Sequence, residues 1–407
     1  MAGDPFEIFK SQGGRRYLPP FFVRLFQGWR NLLLAALLLL PACLGAAETE
    51  APATVKLAVV GPFSGDFQSL GQSTRNGVIL AVEEWNQREG VVGHPIEVIR
   101  LDSQCDALTA YNVTEAAISD EGVQFIIGGV CAGASKAVAR LTISEGVLQI
   151  SPATVEEGLT LNADGEVRPL VFRVPFTDAW QGQAAATFAL STLRAETAAV
   201  LYAEGSTYGN TLAEAFIEHF RAGNIGEIVM RESYERDQES YFDLLDDVRI
   251  ANPDILYLPG YYNTMNTLAV QAKTYGINAV LIGSDGWDSP ALAMDHLSGA
   301  YFTTHYVPTE PSAVIQQWIA HYEASYIVAP DALATLGYDA ANLLLTAMEE
   351  AGAVTDPYLV AEAMMSQPFE GITGRITFNE QHNPLKAVPI VQIRAGEAVY
   401  VQRVTPE

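Results

Sequence analysis

The sequence predicts an α/β protein with two Rossmann-like lobes, each built on a parallel central sheet. Short apolar runs alternate with amphipathic helical stretches from residue 55 to about residue 283. Continuously apolar strands separated by helices are typical of parallel sheets covered on both faces. The 365 residues from Cys43 onward exceed one comfortable hydrophobic core, which favours two lobes.

Four strands are predicted in the first half of this alternation, and a helix follows each of the first three. The apolar run 55–60 is the first strand, and Val78, Ala81, Val82 and Trp85 then recur at helical spacing. The other predicted elements of this half are strands 94–101, 125–128 and 147–150 and helices 108–121 and 134–144.

The alternation resumes in the second half and is interrupted twice. A loop is predicted at 156–170, and a β hairpin or meander is predicted past Asn379. Chain crossing between two lobes would explain the interruption near 172–175. The predicted elements of this half are helices 181–193, 210–220 and 264–275 and strands 198–202, 255–258 and 279–283.

Two of the three cysteines are placed to form a disulfide. Cys105 and Cys131 each follow a predicted strand. If these strands are neighbours, about 4.8 Å apart, the two cysteines come within bonding range. We therefore predict a structural bridge in an oxidising compartment, the alternative being two reduced buried cysteines.

The N-terminal segment predicts export. A basic stretch precedes the apolar run 32–40, which suits a signal peptide at 1–42 and is too short to span a membrane. Leu40-Pro41-Ala42-Cys43 resembles the lipobox of bacterial lipoproteins, so we expect either lipidation at Cys43 or cleavage near Ala46-Ala47. A linker would follow at 43–54.

Charge and motifs exclude several classes of protein. Residues 1–42 carry five basic and two acidic side chains, a net +3; the whole chain carries −25, so the remainder carries −28. Such acidity argues against nucleic acid and favours a monomer. The six histidines lack ligand-like spacing, and no dinucleotide motif follows the first strand, so we expect no metal and no cofactor.

Several motifs, in this order, resemble the leucine/isoleucine/valine-binding family of periplasmic solute-binding proteins, which serve ABC importers. Each motif is weak alone, but together they are specific, and the resemblance covers about residues 55–407. The motifs are V-V-G-P-F-S-G at 59–65, the turn from Cys131, I-S-P-A-T at 150–154, V-F-R-V-P-F-T-D at 171–178 with Gln181-Gly182, G-S-D-G-W-D-S-P at 283–290 and L-G-Y-D-A-A at 336–341.

The resemblance implies a type I periplasmic binding fold, in which three crossing strands join two lobes that close on a ligand. By its register the first lobe spans 55–174 plus 305–389 and the second spans 175–304 plus 390–407. The family disulfide falls on Cys105 and Cys131.

The first lobe would bind the carboxylate of an amino acid. The resemblance places that group at a helix N-terminus, on the backbone of Ala132 and Gly133, where N–H groups are unpaired. The family has serine where Ala132 stands, so only backbone donors remain unless Ser135 reaches in.

The next family contact lies just past strand 147–150. The family has threonine two positions beyond Ala153, where this chain has Val155, while Thr154 stands one place early. With Ala132, this departure weakens the case for an ordinary branched-chain amino acid.

The second lobe would bind the ammonium group. Asp285 matches the acidic residue of the family, Tyr261 the tyrosine beside it, and Tyr208 a ring that closes over the ligand. A buried carboxylate needs a positive partner, which favours a cationic group on the ligand, although Asp285 could instead cap the following helix. Leu70 and Trp287 are candidate walls for the ligand side chain.

The sequence therefore predicts a periplasmic solute-binding protein of an ABC importer, with an amino acid or related amine-bearing solute as ligand and a permease of the inner membrane as partner. A ligand-sensing receptor domain of the same fold, for a small carboxylate or amide, is the alternative. An exported enzyme is a further alternative, but no acid–histidine set and no Gly-x-Ser-x-Gly elbow is present.

Overall fold

The computed structural model describes residues 53–236 and 238–406. The predicted signal peptide, most of the predicted linker and Cys43 lie outside these residues. Within them, no helix has the length and apolar character needed to cross a bilayer.

The first lobe contains a five-stranded parallel sheet in the order β2-β1-β3-β4-β5. Its strands are β1 (Val55–Gly61), β2 (Ile96–Asp102), β3 (Phe125–Gly128), β4 (Leu148–Ser151) and β5 (Val171–Arg173). The intervening helices are α1 (Gln68–Gln87), α2 (Ala107–Glu121), α3 (Ala132–Val138) and α4 (Leu141–Glu145), the last two in place of the single helix predicted at 134–144.

The second lobe contains a seven-stranded sheet in the order β15-β14-β10-β9-β8-β6-β7, in which only β14 and β15 run antiparallel to their neighbours. The strands are β6 (Thr197–Ala203), β7 (Glu227–Tyr234), β8 (Ile255–Leu258), β9 (Val280–Gly283), β10 (Tyr301–Thr303), β14 (Val388–Arg394) and β15 (Glu397–Val404). The helices are α5 (Asp178–Ser191), α6 (Thr207–Arg221), α7 (Phe242–Ala251) and α8 (Tyr262–Thr274).

The chain then returns to the first lobe. A small antiparallel sheet in the order β11-β12-β13 joins three further helices there. These elements are α9 (Ala313–Tyr326), α10 (Ala332–Ala351), α11 (Pro357–Ser366), β11 (Phe369–Gly371), β12 (Gly374–Phe378) and β13 (Pro384–Leu385). Short 3-10 turns lie at Glu157–Leu159, Ala222–Asn224, Asp285–Trp287 and Met294–His296.

Alternation along β1 explains why the inner residues of this central strand are apolar on both faces. Leu57 and Val59 pack in one core with residues of α10, whereas Ala58 and Val60 pack in a second core with residues of α2 and α3. Successive side chains of a strand point to opposite faces, so the part of a strand that is covered on both sides is apolar throughout. The polar residue of β1, Lys56, lies near the start of the strand and pairs with Glu121 at 3.7 Å. The same holds for β6, whose residues divide between two cores.

Helices α1 and α10 pack backbone to backbone beside this sheet. A Cβ on Gly77 would lie 1.9 Å from the Ala334 carbonyl oxygen, and one on Gly337 would lie 2.4 Å from that of Thr74. Only glycine permits this approach. It fixes the start of α10, which forms one wall of the cleft described below.

Contrary to the prediction from the sequence, Cys105 and Cys131 do not follow neighbouring strands. Because β1 lies between β2 and β3, the loops after the two outer strands must converge beyond its end. Gln104 and Cys105 take φ values of +51° and +59° in this turn. The sulfurs of Cys105 and Cys131 are bonded, with their Cα atoms 5.4 Å apart.

Three segments connect the lobes. The first follows β5, the second links β10 to α9, and the third links β13 to β14. One lobe boundary implied by the resemblance, at residue 390, differs from the sheet topology. β14 enters the second sheet at Val388, two residues before this expected change of lobe.

The first connection is flanked by two buried ionisable side chains, Arg173 and Asp178. Arg173 is fully buried and donates to the carbonyl oxygens of Thr154 (3.2 Å), Glu156 (2.7 Å) and Glu157 (3.2 Å). Burial and the nearby Asp285 raise the pKa of Asp178 to about 8, and its Oδ1 lacks a hydrogen-bond partner among the described residues.

The third connection carries a buried lysine. The Lys386 ammonium donates to the Val174 carbonyl (3.3 Å) on the first connection and to the Thr373 hydroxyl (2.7 Å). That hydroxyl donates to Asp339 Oδ2 (2.6 Å). Burial lowers the pKa of Lys386 to about 7, and Asp339 opposes this effect. The network therefore ties two connections to the core of the first lobe.

We predict that the Cys105–Cys131 bond stabilises the mature protein. Replacing both residues with serine should lower the free energy of unfolding by about 2–4 kcal/mol, because the unfolded chain loses a cross-link. Urea unfolding measures this loss. Peptide mapping without reduction should find the two cysteines in one cross-linked fragment, and two free thiols would contradict the prediction.

Lys386→Met should destabilise the protein by about 3 kcal/mol, since the variant leaves Asp339 buried without a compensating charge. Urea unfolding of the ligand-free protein measures the effect. The double variant Lys386→Met with Asp339→Asn should recover part of the loss. The two charges are not coupled if the double variant loses as much stability as Lys386→Met alone, or as much as the two single variants together.

The raised pKa of Asp178 predicts a pH dependence of stability. Between its ordinary pKa of 3.8 and the folded value of about 8, the folded protein holds a proton that the unfolded chain has released. This contribution therefore falls as pH rises through that window, by roughly 1.4 kcal/mol per pH unit at most. Asp178→Asn should gain stability relative to the parent between pH 4.5 and pH 8.

The exposed Asp243 of α7 supplies the matched control. Asp243→Asn should leave the pH profile of urea unfolding parallel to that of the parent. If the pH profile of Asp178→Asn is also parallel to that of the parent, Asp178 is ionised in the folded protein at neutral pH.

Candidate functional site

A cleft of about 390 Å³ lies between the two lobes. The first lobe contributes the loop after β4 and the start of α10; the second contributes the starts of α6 and α8 and the loop after β9; and His305 comes from the second connection. The lining residues are Ala153, Val155, Tyr208, Tyr261, Tyr262, Asp285, Gly286, Asp288, Ser289, Pro290, His305, Ala332, Leu333 and Leu336.

Five of the eight predicted ligand residues line this cleft. Ala153 and Val155 lie on the first-lobe side, and Tyr208, Tyr261 and Asp285 lie on the second-lobe side. The carboxyl ends of parallel strands collect loops at one edge of each sheet, which is why residues distant in sequence meet here.

Thr154 is turned away from the cleft. It is 3% exposed, and its hydroxyl lies 2.6 Å from the Ser135 hydroxyl. Ser135 is itself fully buried and donates to the Gly129 carbonyl (2.5 Å), so it does not reach the ligand side. Both hydroxyls therefore stabilise the turn after β3 instead of facing the cleft.

Ala132 and Gly133 lie outside the cleft lining. They begin α3, a helix of seven residues whose N-cap is Cys131, and both are exposed. The two candidate walls also lie elsewhere. Leu70 is exposed on α1, and Trp287 is fully buried, with its indole N–H donating to the Leu258 carbonyl (3.1 Å).

Asp285 is the most strongly held charged group of the cleft. Its carboxylate accepts a hydrogen bond from the Tyr208 hydroxyl and lies 3.2 Å from His305 Nε2. Its backbone N–H donates to Gln181 Oε1 (3.1 Å). Burial raises the pKa of the Asp285 carboxyl, but His305 and Tyr208 together outweigh burial, so the pKa lies below its ordinary value. Asp285 is therefore ionised at neutral pH.

The Tyr208 hydroxyl links two segments of the second-lobe wall. It lies 2.9 Å from Ser284 Oγ and accepts from the Gly286 N–H (3.0 Å). Its ring stacks on Tyr261, with the centroids 4.7 Å apart. Tyr261 is 51% exposed, so it forms an open aromatic face at the mouth of the cleft.

Sequence reasoning missed His305 and Asp288. His305 is 7% exposed and stacks on Phe176 with ring centroids 3.9 Å apart, which places it between the first two connections. Asp288 accepts from the Thr304 hydroxyl (2.6 Å), and burial raises the pKa of its carboxyl. The only indication in the sequence is that a polar triplet, Thr303 to His305, follows an apolar run.

The chemistry of the cleft is that of an acidic binding site. Its lining contains two carboxylates and, among the described residues, no lysine or arginine. Opposite them lie apolar side chains. No group of three or more histidine, cysteine or acidic side chains in the described part of the chain is arranged to hold a metal ion. The arrangement can bind and orient a cationic group beside an apolar one.

Comparison with known proteins identifies relatives of this architecture. A family model described as periplasmic binding protein matches residues 54–398. The leucine-, isoleucine-, valine-, threonine- and alanine-binding protein of Pseudomonas aeruginosa is 28% identical over 344 residues, covering 83% of this chain and 88% of the relative.

Two solved structures are similar over nearly their whole length. The leucine-binding protein LivK of Thermotoga maritima is 30% identical with a TM-score of 0.70, covering 86% of this chain and 99% of that one. LivJ of Streptococcus pneumoniae, in complex with isoleucine, is 26% identical with a TM-score of 0.71, covering 87% and 100%. Since the family model matches most of its length, this chain belongs to the periplasmic binding protein family.

Proposed function

We propose that this protein is the solute-binding component of an ABC importer and that it captures an amino acid or a related small amine-bearing solute between its lobes. The observation that carries this proposal is the ionised, partly buried carboxylate of Asp285 in a cleft formed by both lobes. The attraction between a carboxylate and an ammonium group is stronger where both are withdrawn from water than where they are exposed.

The relatives support the same class of solute. They include the Pseudomonas aeruginosa protein, named for binding leucine and four other amino acids, and LivJ with bound isoleucine. The ligand's ammonium would lie on Asp285, and its apolar body would face Val155 and Leu336. The family is one of binding proteins, and we propose no catalytic step.

Closure would follow from the division of the site between lobes. We propose the lobes as 55–174 plus 305–389 and 175–304 plus 390–407, with the last boundary moved to Val388, where β14 begins, and with each lobe contributing one wall. A ligand that contacts both walls stabilises the closed arrangement.

The partner and location follow from the proposed role. An ABC permease of the inner membrane would receive the ligand, and the protein would work as an exported monomer in the periplasm. The signal peptide, and lipid attachment at Cys43, belong to this proposal.

Asp285→Asn should weaken binding of the amine-bearing ligand by at least about 30-fold, because the ammonium loses its buried counter-charge, an effect of roughly 2–5 kcal/mol. Calorimetry on protein freed of ligand by unfolding and refolding, with the branched-chain amino acids and their amides as probes, measures this loss. Asp243→Asn, exposed on the same lobe, is the matched control and should bind as the parent does.

Small-angle scattering of the same samples reports closure. The radius of gyration should fall when the parent is saturated with the tightest probe and should stay unchanged for Asp285→Asn at equal concentration. Undiminished binding by Asp285→Asn, or tight binding of a ligand with no cationic group, would refute the ammonium assignment.

A further inference from the structure

The side chains on the first-lobe wall offer a ligand no hydrogen-bond donor. They are Ala153, Val155, Ala332, Leu333 and Leu336, all apolar. The nearest hydroxyls in sequence, of Thr154 and Ser135, are buried and bonded to each other. A ligand carboxylate placed here would lose its hydration without gaining side-chain hydrogen bonds.

The helix that begins on this wall, α10, is already capped by an acidic side chain. At the start of α10, the Asp331 carboxylate accepts from the Ala334 N–H (2.8 Å) and from the Ser73 hydroxyl. A negative charge at a helix N-terminus satisfies the dipole that would otherwise attract an anion. The first turn of α10 therefore repels a second carboxylate.

The opposite wall is acidic as well. Asp285 and Asp288 line it, and the charge of Asp285 adds to burial in raising the pKa of the nearby Asp178. The nearby basic side chains already have partners: Arg173 donates to backbone carbonyls, Lys136 pairs with Glu156, and His305 lies 3.2 Å from Asp285. Besides Tyr208, the lining hydroxyls belong to Tyr261, Tyr262 and Ser289, all on this acidic side.

Among the lining side chains, a zwitterionic amino acid would thus find a counter-charge for its ammonium, whereas the apolar wall offers its carboxylate no side-chain donor and the one histidine is already paired with Asp285. We infer that the ligand is a small primary amine with an apolar body and no carboxylate, such as an alkylamine or the amide of an apolar amino acid. This inference rests on the proposed function and narrows its solute class. The cleft volume of about 390 Å³ suits a ligand of this size.

Four probes with the same branched body separate the possibilities: L-leucine, L-leucinamide, 3-methylbutylamine and 4-methylpentanoate. Calorimetry on the refolded full-length mature protein should give leucinamide and 3-methylbutylamine at least ten-fold tighter binding than leucine, and no binding of 4-methylpentanoate. Binding of leucine as tight as that of leucinamide, still lost in Asp285→Asn, overturns this inference and leaves the proposed function standing. Binding of 4-methylpentanoate alone overturns both.

Mass spectrometry of small molecules released from the denatured protein, purified from its own host, covers ligands with other apolar bodies. An amine without a carboxylate supports the inference, and a free amino acid overturns it. If none of the four probes binds, the released molecule alone decides between an amine without a carboxylate and a free amino acid.

A substitution on the wall tests the cause. Val155→Thr has nearly the same shape and adds a hydroxyl, so it should improve leucine binding several-fold relative to leucinamide. Val155→Ala removes apolar contact without adding a donor and should weaken both probes together. An equal effect of Val155→Thr on the two probes would show that missing donors do not set the preference.

Discussion

A carboxylate taken out of water must find hydrogen-bond donors, and much of the cleft is arranged to supply them to Asp285. Tyr208 reaches it from α6 and His305 from the second connection, while Gln181 on α5 fixes its backbone. These groups come from three separate parts of the second lobe and its boundary. The carboxylate that we propose as the ligand's counter-charge is therefore also a point at which the lobe is held together.

The connections between the lobes follow the same rule of compensated burial. Arg173 and Lys386 are both buried, and each directs its N–H groups at backbone carbonyls beside a crossing point. Arg403 of β15 adds a bidentate pair with Glu310, at 2.7 and 2.9 Å, and donates to the Thr373 carbonyl at 2.7 Å. Buried charge of this kind specifies geometry more than it adds stability.

Sequence reasoning worked where one local pattern determines the outcome. Runs such as 57–60 and 125–128 lie in strands of the structure, because the part of a strand that is covered on both faces is apolar throughout. The acidic residue after β9 also lies in the cleft. β7 was missed because this edge strand carries charged residues along much of its length, so its pattern does not resemble a buried strand.

The remaining differences are tertiary in origin. Nothing local indicates that Thr154 turns inward, since its partner Ser135 lies 19 positions earlier. Likewise the strand order puts β1 between the two strands that precede the cysteines, and periodicity carries no information on strand order. His305 acquires its role only when the second connection passes beside the loop after β9.

The contacts of Arg173 have a mechanical consequence. Its guanidinium donates to the carbonyls of Thr154 and Glu156, on either side of Val155. This part of the first-lobe wall is therefore fastened to the last residue of β5. Rotation between the lobes then takes place after Arg173, so the apolar wall keeps its shape while the acidic face changes its distance from it. The hinge segment of the first connection therefore begins at Val174, whose carbonyl also accepts a hydrogen bond from Lys386. The shape of the apolar wall is thus already set before a ligand arrives.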